Sequence, residues 1–228
     1  MMPRFHVQQE LLLDYASGSL PAPVSLLVAT HLTLCPDCRG VTADFETVGG
    51  ALLEDIDPIA MAADAMEAAL DGLDDEMVEA GRDGGQSSPD PDAAPDPDAG
   101  PAPTPLVLSR LLGTTIDEIA WNRRARGVAE VELPCGDDRY SASLLRIDPD
   151  IAIPNHTHEG EELTLVLRGA FSDADGHYGR GDVCHATPEV AHAPVADPGE
   201  ACVCLVVADG SVKLTGLVGR MLNPFLKL

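Results

Sequence analysis

Apolar positions recur at helical spacing from "VQQELLLDYASGSLPAPVSLLVATHLTL" into "CPDCRGVTADFETVGGALLEDI", residues 7–56. Gly18, Pro21, Pro23, Pro36 and the Gly49-Gly50 pair interrupt the pattern and divide it into three short helices. A further run, "DPIAMAADAMEAALDGLDDEMVEA", predicts a fourth helix starting near Asp57-Pro58, amphipathic but lightly packed. Residues 81–104, "GRDGGQSSPDPDAAPDPDAGPAPT", are almost entirely Gly, Pro, Asp, Ala and Ser. Such a segment buries too little apolar surface to offset the entropy of ordering, and it reads as a flexible linker.

Beyond the linker the period shortens to two. "AEVELP", "YSASLLRI", "ELTLVLRGAFSD", "GDVCHA", "CVCLVVA" and "SVKLTGL" read as strands separated by Gly, Pro and Asp turns. Many short antiparallel strands imply a sandwich or a jelly-roll barrel. The expected fold class is therefore α plus all-β in two domains, with helices over 1–80, the linker over 81–104 and a β domain over 105–228.

Charge narrows the choice of partner. A formal net charge of -24 over 228 residues disfavours a polyphosphate backbone, so no direct contact with nucleic acid is expected. No basic stretch followed by an apolar run opens the chain, and no segment approaches the roughly 20 apolar residues needed to span a bilayer. A soluble cytoplasmic protein without a membrane partner is the expectation. The charge is uneven, with fifteen Asp or Glu against one Arg between Glu54 and Asp98. That stretch is either a solvated, self-repelling segment or an acidic surface for a basic partner.

Six cysteines without a secretion signal point to thiols and metal ligands over a disulfide framework. His31 and Cys35 are four apart, hence one turn apart on one helix face, and Cys38 follows across Pro36-Asp37. A thioredoxin-like switch would place its CxxC after a strand in a βαβ setting, whereas this one follows a helix with a His in register. Pro36 suits the first position of a new helix, which puts Cys38 where free amides favour a thiolate. A closed tetrahedral zinc site needs a fourth donor, and His6 is the other His or Cys of the helical half. The first candidate set is His6, His31, Cys35 and Cys38. A metal also helps a small helical region whose own core is marginal.

In "IPNHTHEGEELTLVLRG", His156 and His158 share a strand face and Glu162 follows four residues later. His192, in "GDVCHATPEVAHAP", lies on a stretch able to return to the same cavity. Three His and one carboxylate suit Zn, Fe(II), Mn or Ni without choosing among them. Glu159 and Glu161 fit the spacing less well, and His177 and His185 read as turn and strand residues. Cys202 and Cys204 face one side of an apolar strand, either as core residues or as oxidisable thiols near the metal. Cys135 and Cys184 have no partner in sequence, and Trp121 is expected at the barrel rim.

H-x3-C-x2-C with an upstream His, within "LLLDYASGSL...LLVATHLTLCPDCRG", resembles the zinc-binding anti-sigma domain, and in particular the ChrR-type anti-sigma factors. H-x-H-x3-E-x6-G followed by G-x6-P-x3-H resembles the cupin metal signature over about residues 105–228, though without a Gly inside "PEVAH" or an Asn four past His192. The resemblance implies a small zinc-stapled helical bundle joined to a cupin-type β barrel that holds a divalent metal, zinc by that analogy. It further implies that the helical part clasps an extracytoplasmic-function-type (ECF-type) sigma factor in a one-to-one complex and keeps it off RNA polymerase. By the same resemblance "VSLLVATHL" and the fourth helix supply the contact, and the barrel releases the sigma factor on sensing singlet oxygen or related oxidants. The competing expectation is a cupin metalloenzyme, a dioxygenase or isomerase, with a regulatory helical tail.

Overall fold

The computed structural model describes residues 2–76, 103–135, 139–210 and 212–214. Two compact units emerge, one combining residues 1–49 with 100–228 and the other spanning 50–99. Most of the expected linker lies outside the described residues, as do the last residues of "SVKLTGL". Among the described residues no helix is long and apolar enough to cross a membrane.

The first unit opens with α1 (Gln9–Ala16), α2 (Ala22–Leu34) and the start of α3 (Pro36–Glu54). Pro21 and Pro23 sit at the N-terminus of α2, where a missing amide costs nothing, and Pro36 opens α3. α3 runs straight through Gly49-Gly50, contrary to the expected interruption. Each glycine weakens an exposed helix by only about 1 kcal/mol relative to Ala, too little to end one flanked by good helix formers. α5 (Leu106–Leu112) precedes the strands and was not legible in the sequence; Gly113, at φ 66, closes it.

Among the described residues eleven strands follow: β1 (Asn122–Ala125), β2 (Val128–Glu132), β3 (Tyr140–Ile147), β4 (His156–His158), β5 (Glu162–Arg168), β6 (Ala170–Ser172), β7 (His177–Gly179), β8 (Val183–Ala186), β9 (Val195–Ala196), β10 (Cys202–Asp209) and β11 (Val212–Leu214). The main sheet has the order β1-β2-β3-β10-β5-β8, with smaller sheets β11-β4 and β7-β6-β9, all antiparallel. This is the expected α plus all-β class, with a barrel-like β region.

The period of two sorts the strand residues into two cores. Val203, Leu205 and Val207 of β10, with Leu163, Leu165 and Leu167 of β5, join Leu12, Val24, Leu27 and Val28 of the helices and Leu108 of α5. The alternate residues, Cys202 and Cys204 of β10 and Val166 of β5, face the other way and join Ile147, Phe171, Tyr178, Cys184 and Ala196. The helices therefore share one core with the outer face of the barrel. Here "VSLLVATHL" departs from expectation. α2 is apolar around its circumference and is enclosed by α1, α5, β3, β5 and β10, so its apolar face is committed within the chain and is not open to a partner.

In the second unit the described residues comprise the end of α3, an irregular stretch and α4 (Ala65–Glu76). The fourth helix starts at Ala65, not near Asp57-Pro58. Ile59 and Met61, 89% and 80% exposed, bury nothing that would offset the cost of ordering residues 57–64.

Candidate metal centres

His6, His31, Cys35 and Cys38 converge, their potential ligand atoms all within 4.8 Å of one another. His6 Nδ1 lies 3.3 Å from Cys35 Sγ and 3.5 Å from Cys38 Sγ. With bonds of about 2.0 Å to nitrogen and 2.3 Å to sulfur, a tetrahedral zinc site has an N-to-S edge of about 3.5 Å. The edges therefore have the size that ion requires. Cys35 ends α2 and Cys38 lies in the first turn of α3, so the helix break at Pro36 aims both sulfurs to one point. The Cys38 amide donates to Cys35 Sγ at 3.4 Å, and the Val7 amide donates to the Cys38 sulfur.

The orientation of His31 is fixed from outside the helices. Its Nδ1 donates to the Gly181 carbonyl at 2.9 Å, which leaves a lone pair on Nε2. That Nε2 atom is buried and has no hydrogen-bond partner. An orphaned buried acceptor beside two sulfurs is costly unless a cation takes its lone pair. Burial lowers the His31 pKa to about 4, with the Gly181 carbonyl opposing and His6 adding to the shift. Burial, then neighbouring Cys35, pushes the Cys38 thiol up to about 12. A bound dication reverses both tendencies by favouring the lone pair and the thiolate.

The second set, His156, His158, Glu162 and His192, is buried and equally convergent. β4 projects His156 and His158 to one side, and an isolated bridge between His156 and His192 brings the third imidazole across. His192 Nε2 stands 3.0 Å from His156 Nε2 and 3.2 Å from His158 Nε2. His156 Nδ1 donates to the Pro154 carbonyl at 2.9 Å, and His192 Nδ1 faces Asp173 Oδ2 at 3.3 Å. With both Nδ1 atoms protonated, two Nε2 lone pairs confront each other at 3.0 Å, an arrangement that calls for a shared cation. His158 Nδ1 is buried without a hydrogen bond, 3.4 Å from Glu162 Oε2.

Burial lowers the pKa of His156, and it lowers that of His158 to about 4 with help from the other two imidazoles. Burial raises Glu162 to about 7 against the hydrogen bond that Thr164 donates at 3.1 Å. The donor set of three nitrogens and one carboxylate suits several divalent metals.

Other polar residues around the barrel fall into place. Asp173 and Cys184 cluster with His192, and spacing gave no sign of either. Cys202 Sγ and Cys204 Sγ are 3.5 Å apart inside the barrel core. Exposed His177 bonds Asp197 at 2.7 Å, and His185 Nδ1 meets Gln8 Nε2 at 2.8 Å. Trp121 is partly buried against the shared core.

Residues 110–212 match the family described as the ChrR cupin-like domain. The chain is 36% identical over its full 228 residues to the whole of the anti-sigma-E factor ChrR of Cereibacter sphaeroides. It is also similar to the crystal structure of Rhodobacter sphaeroides SigE in complex with the anti-sigma factor ChrR, with 36% identity and a TM-score of 0.73 over 91% of this chain and 100% of that one.

Proposed function

This chain belongs to the ChrR family of anti-sigma factors, and on that footing we propose that it binds an ECF-type sigma factor one-to-one in the cytoplasm and keeps it from RNA polymerase. The observation that carries the reading is the full-length identity to ChrR, which spans both halves of the chain and both ligand sets. The role is regulatory and not catalytic.

The distribution of exposed apolar groups supports the reading. Of twelve large hydrophobic residues exposed among the described residues, eight fall between Val48 and Leu70: Val48, Leu52, Leu53, Ile56, Ile59, Met61, Met66 and Leu70. An apolar stretch of this kind on an acidic background is the composition expected of a surface that closes over a partner. With α2 committed to the barrel, the end of α3 through α4 is the segment we assign to the sigma contact.

In this reading residues 1–80 carry the clasp, 81–104 the tether and 105–228 the sensor, with residues 1–49 packed in one compact unit with the sensor. His6, His31, Cys35 and Cys38 bind zinc, which fixes the geometry of the first helices. His156, His158, Glu162 and His192 bind a second divalent metal, zinc by family analogy, and make the barrel the sensor of singlet oxygen or related oxidants. Imidazole and thiol groups around a metal are electron-rich, and loss of one ligand by oxidation weakens a site whose folding depends on its metal.

Co-expression with the ECF-type sigma factor of the source cell tests the proposal. A stable one-to-one complex is expected, and Leu52→Asp with Leu53→Asp should weaken it at least tenfold without unfolding the chain. Absence of a complex with the wild-type chain would overturn the reading.

A further inference from the structure

The first ligand set is not held by its helices alone. Between β7 and β8 the chain turns through Arg180, Gly181 and Asp182, and this turn meets the N-terminal arm, residues 3–7. Asp182 is only 4% exposed. Its Oδ1 accepts the amides of Arg4 at 2.5 Å and Phe5 at 2.9 Å, while Oδ2 accepts the Gly179 amide at 2.8 Å. The Val183 amide donates to the Phe5 carbonyl at 3.0 Å, so the arm adds to the start of β8 like a short extra strand. The Gly181 carbonyl receives His31, and Gly181 has φ 92 with Pro3 against its α-carbon. A methyl group there would meet Pro3 Cγ at 2.8 Å.

His6 rides on this arm and is the exposed member of its set. Both histidines of the first set thus take their position from residues 179–183 of the β region, and only the two cysteines take theirs from the break between α2 and α3.

The strand that enters this turn also reaches the second set. Tyr178 packs on Phe5 with ring centroids 4.6 Å apart and stacks on Phe171 at 4.9 Å, and its hydroxyl bonds Cys184. β6, which carries Phe171, leads directly into Asp173, the residue that faces His192 Nδ1. One β8 residue further, His185 meets Gln8 just beyond the arm.

We infer that the turn between β7 and β8 couples the two ligand sets, with Asp182 as the positioning residue that holds His6 and His31 in register with Cys35 and Cys38. Disturbance around His192 reaches the arm through Asp173 and the Phe171–Tyr178–Phe5 stack, and the turn delivers it to two of the four ligands of the first set. The inference rests on the reading that both sets bind metal.

The test is release of zinc from the zinc-loaded full-length protein into a colorimetric chelator, with the first-set phase identified by its loss in Cys35→Ala with Cys38→Ala. In Asp182→Ala that phase should accelerate at least tenfold. Asp182→Asn, which keeps an oxygen for the arm amides, should be intermediate, and Gly181→Ala should resemble Asp182→Ala. Asp197→Ala, at the exposed His177 of β7, should leave the rate unchanged. Hydrogen exchange supplies a readout that needs no metal: the amides of Arg4, Phe5 and Val7 should lose protection in Asp182→Ala while circular dichroism stays as in the wild type.

Coupling is tested by a double-mutant cycle. His192→Ala should speed first-set release in the wild-type background and add nothing in Asp182→Ala. If Asp182→Ala does not fold, Phe5→Ala interrupts the same strap and should show the same acceleration. A wild-type release rate in Asp182→Ala, or simple additivity with His192→Ala, overturns the coupling and leaves the zinc reading standing. A wild-type chain with no zinc dependent on Cys35 and Cys38 overturns both.

Discussion

The imidazole of His31 and the carbonyl of Gly181 are joined by a 2.9 Å hydrogen bond across 150 positions of sequence. This bond decides which nitrogen of His31 is free, and burial decides that the ring is neutral, lowering its pKa to about 4.

A pH dependence follows for the metal-free protein. Between about pH 4 and the ordinary histidine value of about 6.5, the unfolded chain holds a proton at His31 that the folded chain does not. Stability therefore rises with pH across this window, and acidification from pH 7 to 4 should remove on the order of 3 kcal/mol through this residue. Urea unfolding of metal-free wild type and His31→Gln checks it, since the variant should lose correspondingly less on acidification.

Zinc removal should destabilise the wild type more than the double cysteine variant, which keeps the second set. Binding to the folded state adds about 4 kcal/mol when free zinc exceeds the dissociation constant a thousandfold. Cys35→Ala with Cys38→Ala should lose one equivalent of zinc. Thermal scans with and without a chelator should then show a smaller chelator effect in the variant than in the wild type.

Asp173→Ala should weaken metal binding at the second set by about 10–100-fold, because the carboxylate fixes the ring of His192 without being among the four candidate ligands. Competition titration against a chelator measures the change. An unaltered affinity would remove Asp173 from any role at the site.

Leu205→Ala, in the central strand β10 and on the face that meets the helices, should cost about 2–5 kcal/mol. Residues of α1, α2 and the barrel share that core, so calorimetry should show the helices and barrel melting together, and the variant should lower that one transition. Separate transitions would contradict a shared core.

Half of each ligand set was legible because secondary-structure periods put those residues together. A step of four on a helix aligns His31 with Cys35, and a step of two on a strand aligns His156 with His158. β3 was legible for a similar reason, since alternation over "YSASLLRI" matches Tyr140–Ile147. β1, with the sequence NRRA, is exposed and polar, and β9 has two residues, so neither leaves a hydrophobic period to read. Asp182 was illegible for a different reason: its partners are main-chain amides 177 and 178 positions away, and an amide has no side-chain signature. The outward commitment assigned to α2 failed because an all-round apolar helix signals enclosure without naming what encloses it.

The strap at Asp182 also imposes a schedule on biosynthesis. His6 leaves the ribosome well before the carboxylate that anchors its arm, by roughly 9–35 s at about 5–20 residues per second. During that interval a nascent chain has the helices but not the turn that sets two of their histidines. The finished geometry of the first ligand set is therefore reserved for chains whose barrel has already been made, so that a truncated product differs from the complete protein at the very residues nearest its own start.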